Sequence, residues 1–280
     1  MDNGKNEQAG PIGVFDSGFG GLTILRDIRD RLPQYDYLYL GDNARAPYGP
    51  RSFDIVYRFT LDAVKYLFSR GCRLVILACN TASAKALRSI QQNDLSGIDP
   101  SRRVLGVIRP TAEIIGQLSR TGHIGVLATG GTVASRSYNL EIEKLHPGFS
   151  VATQACPMFV PLVENSETES PAADYFAAKY ISSLLEKDRR IDTIILACTH
   201  YPLLYDVIRR NTPPEINVVC QGGIVADSLA DYMERHPEIA GRCTTGGKCT
   251  YLTTENPEAF ADLARVFLDE DIEAKHVELN

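Results

Sequence analysis

The stretch Leu74-Val-Ile-Leu-Ala-Cys-Asn-Thr81 recurs in a closely similar form as Ile194-Ile-Leu-Ala-Cys-Thr-His200. Both copies are short apolar runs that end in Ala-Cys and continue into polar residues. A run that is apolar on both faces is typical of a strand covered on both sides, as in a parallel sheet. We therefore expect two buried parallel strands, each of which brings a cysteine, Cys79 or Cys198, to the carboxyl edge of its sheet.

A second pair of stretches repeats in the same order along the chain. Ile12-Gly-Val-Phe-Asp-Ser-Gly18 is similar to Ile124-Gly-Val-Leu-Ala-Thr-Gly130. The first member of this pair precedes Cys79 by a distance similar to that by which the second precedes Cys198. One similarity between short strands is easily due to chance, whereas two in the same order indicate two related α/β lobes with pseudo-twofold symmetry and a ligand site in the cleft between them.

The order of the remaining elements predicts where each lobe begins and ends. Pro110 interrupts the pattern near residues 108–111, and we place the crossing between lobes there. The first lobe is expected to comprise residues 1–108 plus 221–280, and the second residues 109–220.

The pattern of elements predicts an α/β architecture, because apolar strands alternate with amphipathic helices. The predicted strands are Ile12–Phe15, Tyr37–Leu40, Leu74–Ala78, Val104–Val107, Ile124–Leu127, Ser150–Gln154, Thr193–Ala197, Asn217–Cys220 and Lys248–Thr253. The predicted helices are Gly21–Arg31, Phe53–Ser69, Ala84–Gln92, Thr111–Leu118, Ala172–Glu186, Leu203–Asn211 and Asn256–Asp269.

Composition excludes several classes of protein. The 280-residue chain is 44% hydrophobic and 23% charged, with a net charge of -6, so neither a nucleic acid nor an anionic membrane is an expected partner. No apolar run is long enough to span a bilayer, and the polar start, Met1 to Gly10, predicts a cytoplasmic protein. Neither a complete P-loop nor a dinucleotide-binding glycine motif is present, since Thr23 stands where the latter requires glycine.

Seven cysteines, an odd number, argue against a disulfide framework in such a chain. A free cysteine usually packs as a small hydrophobe, and only the repeated context sets Cys79 and Cys198 apart. A metal site formed by Cys198 and His200 with Cys156 or another thiol is an alternative, but no paired C-x-x-C or H-E-x-x-H supports it, and we expect no metal.

Two thiols on opposite sides of one cleft suit a racemase, in which one base removes an α-proton and an acid on the opposite face supplies another. A thiol is mostly protonated near neutrality, so a neighbouring acid–base group is useful. Asp16 can serve Cys79, and His200 can serve Cys198. The alternatives are structural: Asp16 as a helix cap and His200 as a hydrogen-bonding residue.

Five ordered motifs identify a family resemblance, and they span most of the chain from Ile12 to about Asp231. The chain resembles the glutamate racemases of the aspartate/glutamate racemase superfamily. The matching segments are Gly13-Val-Phe-Asp-Ser-Gly-Phe-Gly-Gly-Leu-Thr23, Gly41-Asp-Asn-Ala-Arg-Ala-Pro-Tyr-Gly49, Ala78-Cys-Asn-Thr-Ala-Ser83, Ala155-Cys-Pro-Met-Phe-Val-Pro-Leu-Val-Glu164 and Ala197-Cys-Thr-His-Tyr-Pro-Leu-Leu204.

The resemblance implies an enzyme that interconverts L- and D-glutamate without a cofactor or metal and supplies D-glutamate for peptidoglycan. It implies that Cys79 acts on D-glutamate and Cys198 on L-glutamate. It also implies that Asp16 assists Cys79, that His200 and Glu164 assist the other side, and that the protein is a homodimer. The substrate-binding residues it implies are Asp16, Ser17, Pro47, Tyr48, Gly49, Asn80, Thr81, Thr199 and His200.

Two departures from the family pattern stand out. Val219-Cys-Gln-Gly222 replaces a common Ile-Asp-Ser segment, and Arg109 stands where an acidic residue or lysine is common. We expect the first to affect local packing and the second to affect contacts between the lobes. Two other functions stay open: racemisation of aspartate or a broader set of acidic amino acids, and non-catalytic amino-acid binding on the same scaffold.

Overall fold

A computed structural model describes residues 9–279 as alternating strands and helices. The strands are β1 Ile12–Asp16, β2 Tyr37–Gly41, β3 Leu74–Leu77, β4 Arg103–Gly106, β5 His123–Ala128, β6 Ser150–Ala155, β7 Thr193–Ala197, β8 Asn217–Val219, β9 Cys249–Thr253 and β10 Ala274–His276. The α-helices are α1 Gly21–Arg31, α2 Phe53–Ser69, α3 Asn80–Lys85, α4 Leu87–Ser89, α5 Leu95–Ile98, α6 Ile108–Leu118, α7 Gly130–Ser135, α8 Ser137–Leu145, α9 Phe159–Glu164, α10 Pro171–Lys187, α11 Tyr205–Arg210, α12 Gly222–Arg235, α13 Pro237–Ala240 and α14 Pro257–Leu268.

The strands form two parallel sheets with the same internal order. The first sheet runs β10-β9-β2-β1-β3-β4, and the second runs β6-β5-β7-β8. Removing β10 and β9 leaves β2-β1-β3-β4, which matches the second sheet strand for strand. The prediction of two related parallel-sheet α/β regions is therefore confirmed, and β1 and β3 correspond to β5 and β7.

Three of the four strands that carry the repeated sequences are completely buried. Every residue of β1, β3 and β7 is buried, as expected for strands with helices on both faces. The largest apolar cluster runs through both sheets and joins Val14 and Leu25 to Ile181 and Leu196. This cluster therefore joins the two sheets, and each sheet also has a smaller apolar cluster of its own.

Several element boundaries differ from those predicted. The helix expected at 84–92 begins at Asn80, directly after Cys79, and is then interrupted by a π-helical turn over Ile90–Asp94. The helix expected at Thr111 begins at Ile108, because a proline in the first helical turn removes no intrahelical hydrogen bond. A 3₁₀ turn, Tyr201–Leu204, precedes α11. The helices α5, α7, α8, α9, α12 and α13 and the strand β10 were not predicted.

Three further expectations concern the whole chain. All seven cysteines are free thiols, as their odd number predicted. Within residues 9–279, no helix is long and apolar enough to cross a membrane. Most of the polar start of the chain, Met1 to Gly10, from which we predicted a cytoplasmic protein, lies outside the described residues.

Candidate active site

Three of the sequence-predicted acid–base residues, Asp16, Cys79 and Cys198, lie at the carboxyl ends of strands. Asp16 ends β1, while Cys79 follows β3 and caps the N-terminus of α3. Phe15 of β1 pairs in register with Leu77 of β3, so Asp16 and Cys79 emerge side by side. Cys198 follows β7 at the same edge of the second sheet. Ligands of open α/β sheets bind beyond this edge, so the strands deliver these side chains to the expected place.

Cys79 is almost fully buried, with 5% of its surface exposed. Its Sγ lies 3.3 Å from Ser17 Oγ and accepts a hydrogen bond from the backbone N–H of Ala82 at 3.4 Å. Burial, and after it the negative charge of Asp16, raises the pKa of the Cys79 thiol to about 11, against the opposing effect of these hydrogen bonds. Cys79 is therefore a protonated thiol at neutral pH unless another group takes its proton.

Asp16 has 1% of its surface exposed and accepts hydrogen bonds through both carboxylate oxygens. The backbone N–H of Gly18 donates to Oδ1 at 2.9 Å, and the hydroxyl of Thr199 donates to Oδ2 at 3.5 Å. Burial raises the pKa of Asp16, while the positive field of His200 opposes that rise. A carboxyl group with a raised pKa next to a thiol can exchange a proton with it more readily than an ordinary aspartate.

Cys198 is the first member of a linear chain of three polar side chains. Its Sγ lies 4.0 Å from Nδ1 of His200, and Nε2 of His200 lies 3.0 Å from Oε1 of Glu164. Burial is the main cause that raises the pKa of Cys198 well above that of a free thiol. In this arrangement the carboxylate of Glu164 orients the imidazole, and Nδ1 is the nitrogen that faces the thiol.

The ends of the two sheets meet directly at this site. Besides its hydrogen bond to Asp16, Thr199 accepts through its backbone carbonyl from Thr23 Oγ1 at 3.0 Å. A Cβ atom at Gly20 would lie 2.2 Å from Thr199 Oγ1 and 2.4 Å from His200 Nδ1, so glycine is required there. The two thiols are close enough for the charge of Cys79 to raise the pKa of Cys198. The structure therefore brings Asp16, Cys79, Cys198, His200 and Glu164 together.

The predicted segment 47–49 lies beside the site. Pro47 is exposed and Tyr48 is buried, with its hydroxyl donating to Oδ2 of Asp42. Gly49 packs against Thr129, since a Cβ atom there would lie 3.3 Å from Thr129 Cβ. Asp42 is fully buried and also pairs with Arg45 at 2.6 Å, so it anchors the segment. The sequence analysis missed Asp42, although it lies within the second family motif.

Hydroxyl groups cluster where α3 faces α7. Thr81 Oγ1 lies 3.0 Å from Thr129 Oγ1 and 3.4 Å from Thr132 Oγ1. The sequence analysis predicted Thr81 but missed the two threonines of the second sheet. The internal repeat offered a signal for Thr129, because Ala128-Thr-Gly130 aligns with Asp16-Ser-Gly18 and places Thr129 at the position of Ser17.

Asn80 makes contacts that the sequence analysis did not anticipate. Its Oδ1 accepts a hydrogen bond from the Tyr138 hydroxyl at 2.6 Å, and its Nδ2 donates to Gln221 Oε1 at 2.9 Å. Gln221 belongs to the segment 219–222, which departs from the family pattern and was predicted to affect local packing. Its hydrogen bond to Asn80 links this packing to a predicted substrate-binding residue.

The side-chain arrangement does not support the metal site that was considered as an alternative for Cys198 and His200. Across the described residues, no three histidine, cysteine, aspartate or glutamate side chains are grouped so that they could hold a metal ion. Cys156, the third ligand considered for Cys198 and His200, instead directs its Sγ to the carbonyl of Gln154 at 3.5 Å. Arg109, the second departure, pairs with Glu113 on the exposed surface of α6 at 2.8 Å.

Comparison with known proteins finds that this chain is similar to amino-acid racemases. The family model described as Asp/Glu/Hydantoin racemase matches residues 22–227. A glutamate racemase of Ruegeria sp. (strain TM1040) is 41% identical over 271 residues, which cover 93% of this chain and 97% of the relative.

Solved structures agree with this match. A glutamate racemase, isoform RacE1, from Bacillus anthracis superposes with a TM-score of 0.87 at 32% identity and covers 96% of this chain and 98% of its own. A glutamate racemase from Francisella tularensis, solved in complex with D-glutamate, superposes with a TM-score of 0.86 at 30% identity and covers 97% and 98%. The chain therefore belongs to the Asp/Glu/hydantoin racemase family and is an amino-acid racemase, an isomerase.

Proposed function

We propose that the chain interconverts L- and D-glutamate by moving the α-proton between two cysteine thiols, without a bound cofactor. One observation carries this proposal: Cys79 and Cys198 lie at the facing ends of equivalent strands, and each has its own acid–base neighbours. The three relatives described above are glutamate racemases, each at least 30% identical to this chain over nearly its full length, and they support glutamate as the substrate.

These residues account for every proton and electron pair that moves in the proposed reaction. In the direction from D- to L-glutamate, the thiolate of Cys79 takes the α-proton, the C–H bond breaks, and the electron pair stays on the α-carbon and its carboxylate. The thiol of Cys198 then gives its proton to the opposite face, so that a new C–H bond forms and a thiolate remains on Cys198. Asp16 and the His200–Glu164 pair reset the two thiols for the next turnover. The reverse direction uses the same groups in reverse order.

We assign substrate binding to the polar groups that surround the two thiols. Ser17, Asn80 and Thr199 lie next to the thiols in space or in sequence, and the segment 47–49 closes one side. The hydroxyls of Thr81, Thr129 and Thr132 suit the second carboxylate of glutamate, because neutral donors bind an anion without a buried counter-charge. Cys79 and Cys198 are 5% and 6% exposed, so the lobes must separate to admit substrate.

The cellular assignments rest on the family resemblance. We propose that D-glutamate made by this chain feeds peptidoglycan synthesis, that the enzyme acts in the cytoplasm, and that it is a homodimer. We also propose the division into lobes of residues 1–108 plus 221–280 and residues 109–220. The membership of β9 and β10 in the first sheet supports that division.

One experiment tests the reaction directly. Protein freed of metal by a chelator is incubated with L-glutamate in deuterated water, and the products are separated by chiral chromatography and mass spectrometry. We expect D-glutamate that carries one deuterium at the α-carbon. Absence of both the D-isomer and the label would overturn the proposal. A faster turnover of aspartate than of glutamate would favour the broader racemase, while protection of the thiols from alkylation by glutamate without turnover would favour a binding protein.

A further inference from the structure

Gln221 is a buried side chain at the point where the chain returns toward the first sheet. It is 2% exposed and directs every polar atom of its amide to another buried group. Oε1 accepts from Asn80 at 2.9 Å, while Nε2 donates to Thr111 Oγ1 at 2.8 Å and to the Tyr138 hydroxyl at 2.7 Å. Nε2 also lies 3.2 Å from the carbonyl oxygen of Val107.

The three side chains of Asn80, Tyr138 and Gln221 form a closed triangle of hydrogen bonds. Tyr138 accepts from Gln221 and donates to Asn80 Oδ1 at 2.6 Å, and Asn80 donates to Gln221. The oxygen and one hydrogen of the Asn80 amide are thereby used, and the direction of its plane is fixed. One N–H of Asn80 remains for another acceptor.

The triangle, together with the contact between Gln221 and Val107, links both segments of chain that cross from one sheet to the other. Asn80 begins α3 directly after Cys79, and Tyr138 lies on α8 beside the second sheet. Val107 precedes α6, the outgoing crossing, and Gln221 precedes α12 on the return. A change at the crossing therefore reaches the residue next to one reactive thiol through two hydrogen bonds.

We propose that Gln221 is a positioning residue that aims the remaining amide hydrogen of Asn80 at the substrate and ties it to the crossing between the sheets. The inference deepens the proposed function and rests on it, because it takes Asn80 to be a substrate-binding residue. Gln221 acts through Asn80, since its own amide is fully engaged with protein groups.

The test replaces Gln221 with a side chain of similar length that makes no hydrogen bond, Gln221→Met. We expect KM for glutamate to rise about tenfold, which is the effect of one misplaced hydrogen bond, with a smaller change in kcat. Calorimetric titration of the wild-type protein and the variant with glutamate should show the same weakening of Kd without any need for turnover. Tyr138→Phe, which removes a single oxygen from the same triangle, should change KM and Kd in the same direction.

Gln91→Met is the matched control, because Gln91 donates to a single carbonyl, that of Val104, at 2.7 Å and lies away from Asn80. We expect it to leave KM and Kd unchanged. In an Asn80→Ala background, Gln221→Met should add no further effect on KM. The inference is wrong if Gln221→Met and Tyr138→Phe lower the thermal midpoint but leave KM and Kd unaltered, or if the effects of Gln221→Met and Asn80→Ala simply add. Failure of the wild-type protein to racemise glutamate would count against the proposed function alone, since the Kd comparison stands without turnover.

Discussion

At the scale of single residues, the two thiols share burial but differ in what surrounds them. Burial is the first cause of the raised pKa of both Cys79 and Cys198. Cys79 has Ser17 and Asp16 as neighbours, whereas Cys198 faces a histidine that is held by a partly exposed glutamate. The sequence predicted this asymmetry, because the internal repeat aligns Asp16 with Ala128.

Removing either thiol tests whether the reaction needs both. We expect Cys79→Ser and Cys198→Ser each to reduce racemisation by at least about 100-fold, since each variant lacks the acid or base on one face. D-glutamate formed from L-glutamate is the measured quantity. Cys243→Ser is the control, because Cys243 is buried against the carbonyl of Ile239 and should be dispensable for the chemistry. Full activity in either of the first two variants contradicts the two-base mechanism.

The His200–Glu164 pair supports a second prediction. In Glu164→Gln the carboxylate that accepts from His200 Nε2 at 3.0 Å becomes a neutral amide, whose oxygen can still accept this hydrogen bond but no longer stabilises a positive charge on the imidazole. We expect kcat to fall roughly 10- to 100-fold while the thermal midpoint changes little, because Glu164 is partly exposed. Glu167→Gln, a change at an exposed carboxylate in the same segment, should keep full activity. Equal kcat values for the two variants would show that Glu164 has no part in the relay.

Sequence reasoning reached the residues within the repeated motifs but not their partners from distant segments. Asp16, Cys79, Cys198 and His200 follow apolar strands, and strand ends are visible in a sequence. Tyr138 follows no predicted strand, and although Gln221 follows the predicted strand Asn217–Cys220, no sequence pattern indicates contact with Asn80, which lies 58 and 141 positions away from them. Only the packing of α8 and the return segment brings them together.

At the scale of elements, strands were predicted better than helices. The apolar runs of β1, β2 and β7 fix these strands to within one residue, because both of their faces are buried. The short helix α3 was placed too late because its N-cap is a cysteine, which no capping rule predicts. Its early start matters, since it puts Asn80 and Thr81 in the first turn beside the thiol.

The entry into α1 gives a prediction at this scale. Gly20→Ala would place a Cβ atom 2.2 Å from Thr199 Oγ1, so α1 and the segment after β7 must move apart. We expect a loss of about 1–3 kcal/mol in the free energy of unfolding and a marked fall in kcat. Gly223→Ala is the control: nothing lies within 4 Å of its added Cβ, and alanine favours the helix, so the change ranges from none to about 1 kcal/mol of stabilisation. Urea unfolding and racemase assays of the two variants distinguish these outcomes, and a Gly20→Ala protein with wild-type values would refute the close approach.

At the scale of the whole molecule, two sheets with the same strand order are joined by a shared apolar cluster. The shared order β2-β1-β3-β4 and β6-β5-β7-β8 explains why Cys79 and Cys198 follow equivalent strands, β3 and β7. The continuous apolar cluster and the Asn80–Tyr138–Gln221 triangle connect the two halves. If the enzyme opens for substrate as proposed, we expect the opening where segment 47–49 meets Thr129 and Gly131, since no apolar cluster of the described residues joins them.

Buried thiols throughout the fold predict a loss of stability in alkaline solution. Burial raises the pKa of Cys72 to about 12 and that of Cys243 to about 11, from an ordinary value of 9.0. Because these folded-state pKa values are raised, their contribution is fully present below the unfolded pKa and is lost as the pH rises toward the folded one. Between about pH 9 and 11 the folded protein binds more protons than the unfolded chain, so the free energy of unfolding decreases with pH.

Cys72 allows this prediction to be checked one thiol at a time, since it is fully buried. Urea unfolding at several values between about pH 8 and 10.5 should give a falling free energy, to which a single thiol contributes up to about 1.4 kcal/mol per pH unit. Cys72→Ala leaves a cavity and should be less stable at about pH 8, but its free energy should fall less steeply with pH. The difference between the two slopes isolates the thiol from the tyrosines that titrate in the same range. Parallel slopes for the two proteins would mean that Cys72 is ionised as readily in the folded chain as in the unfolded one.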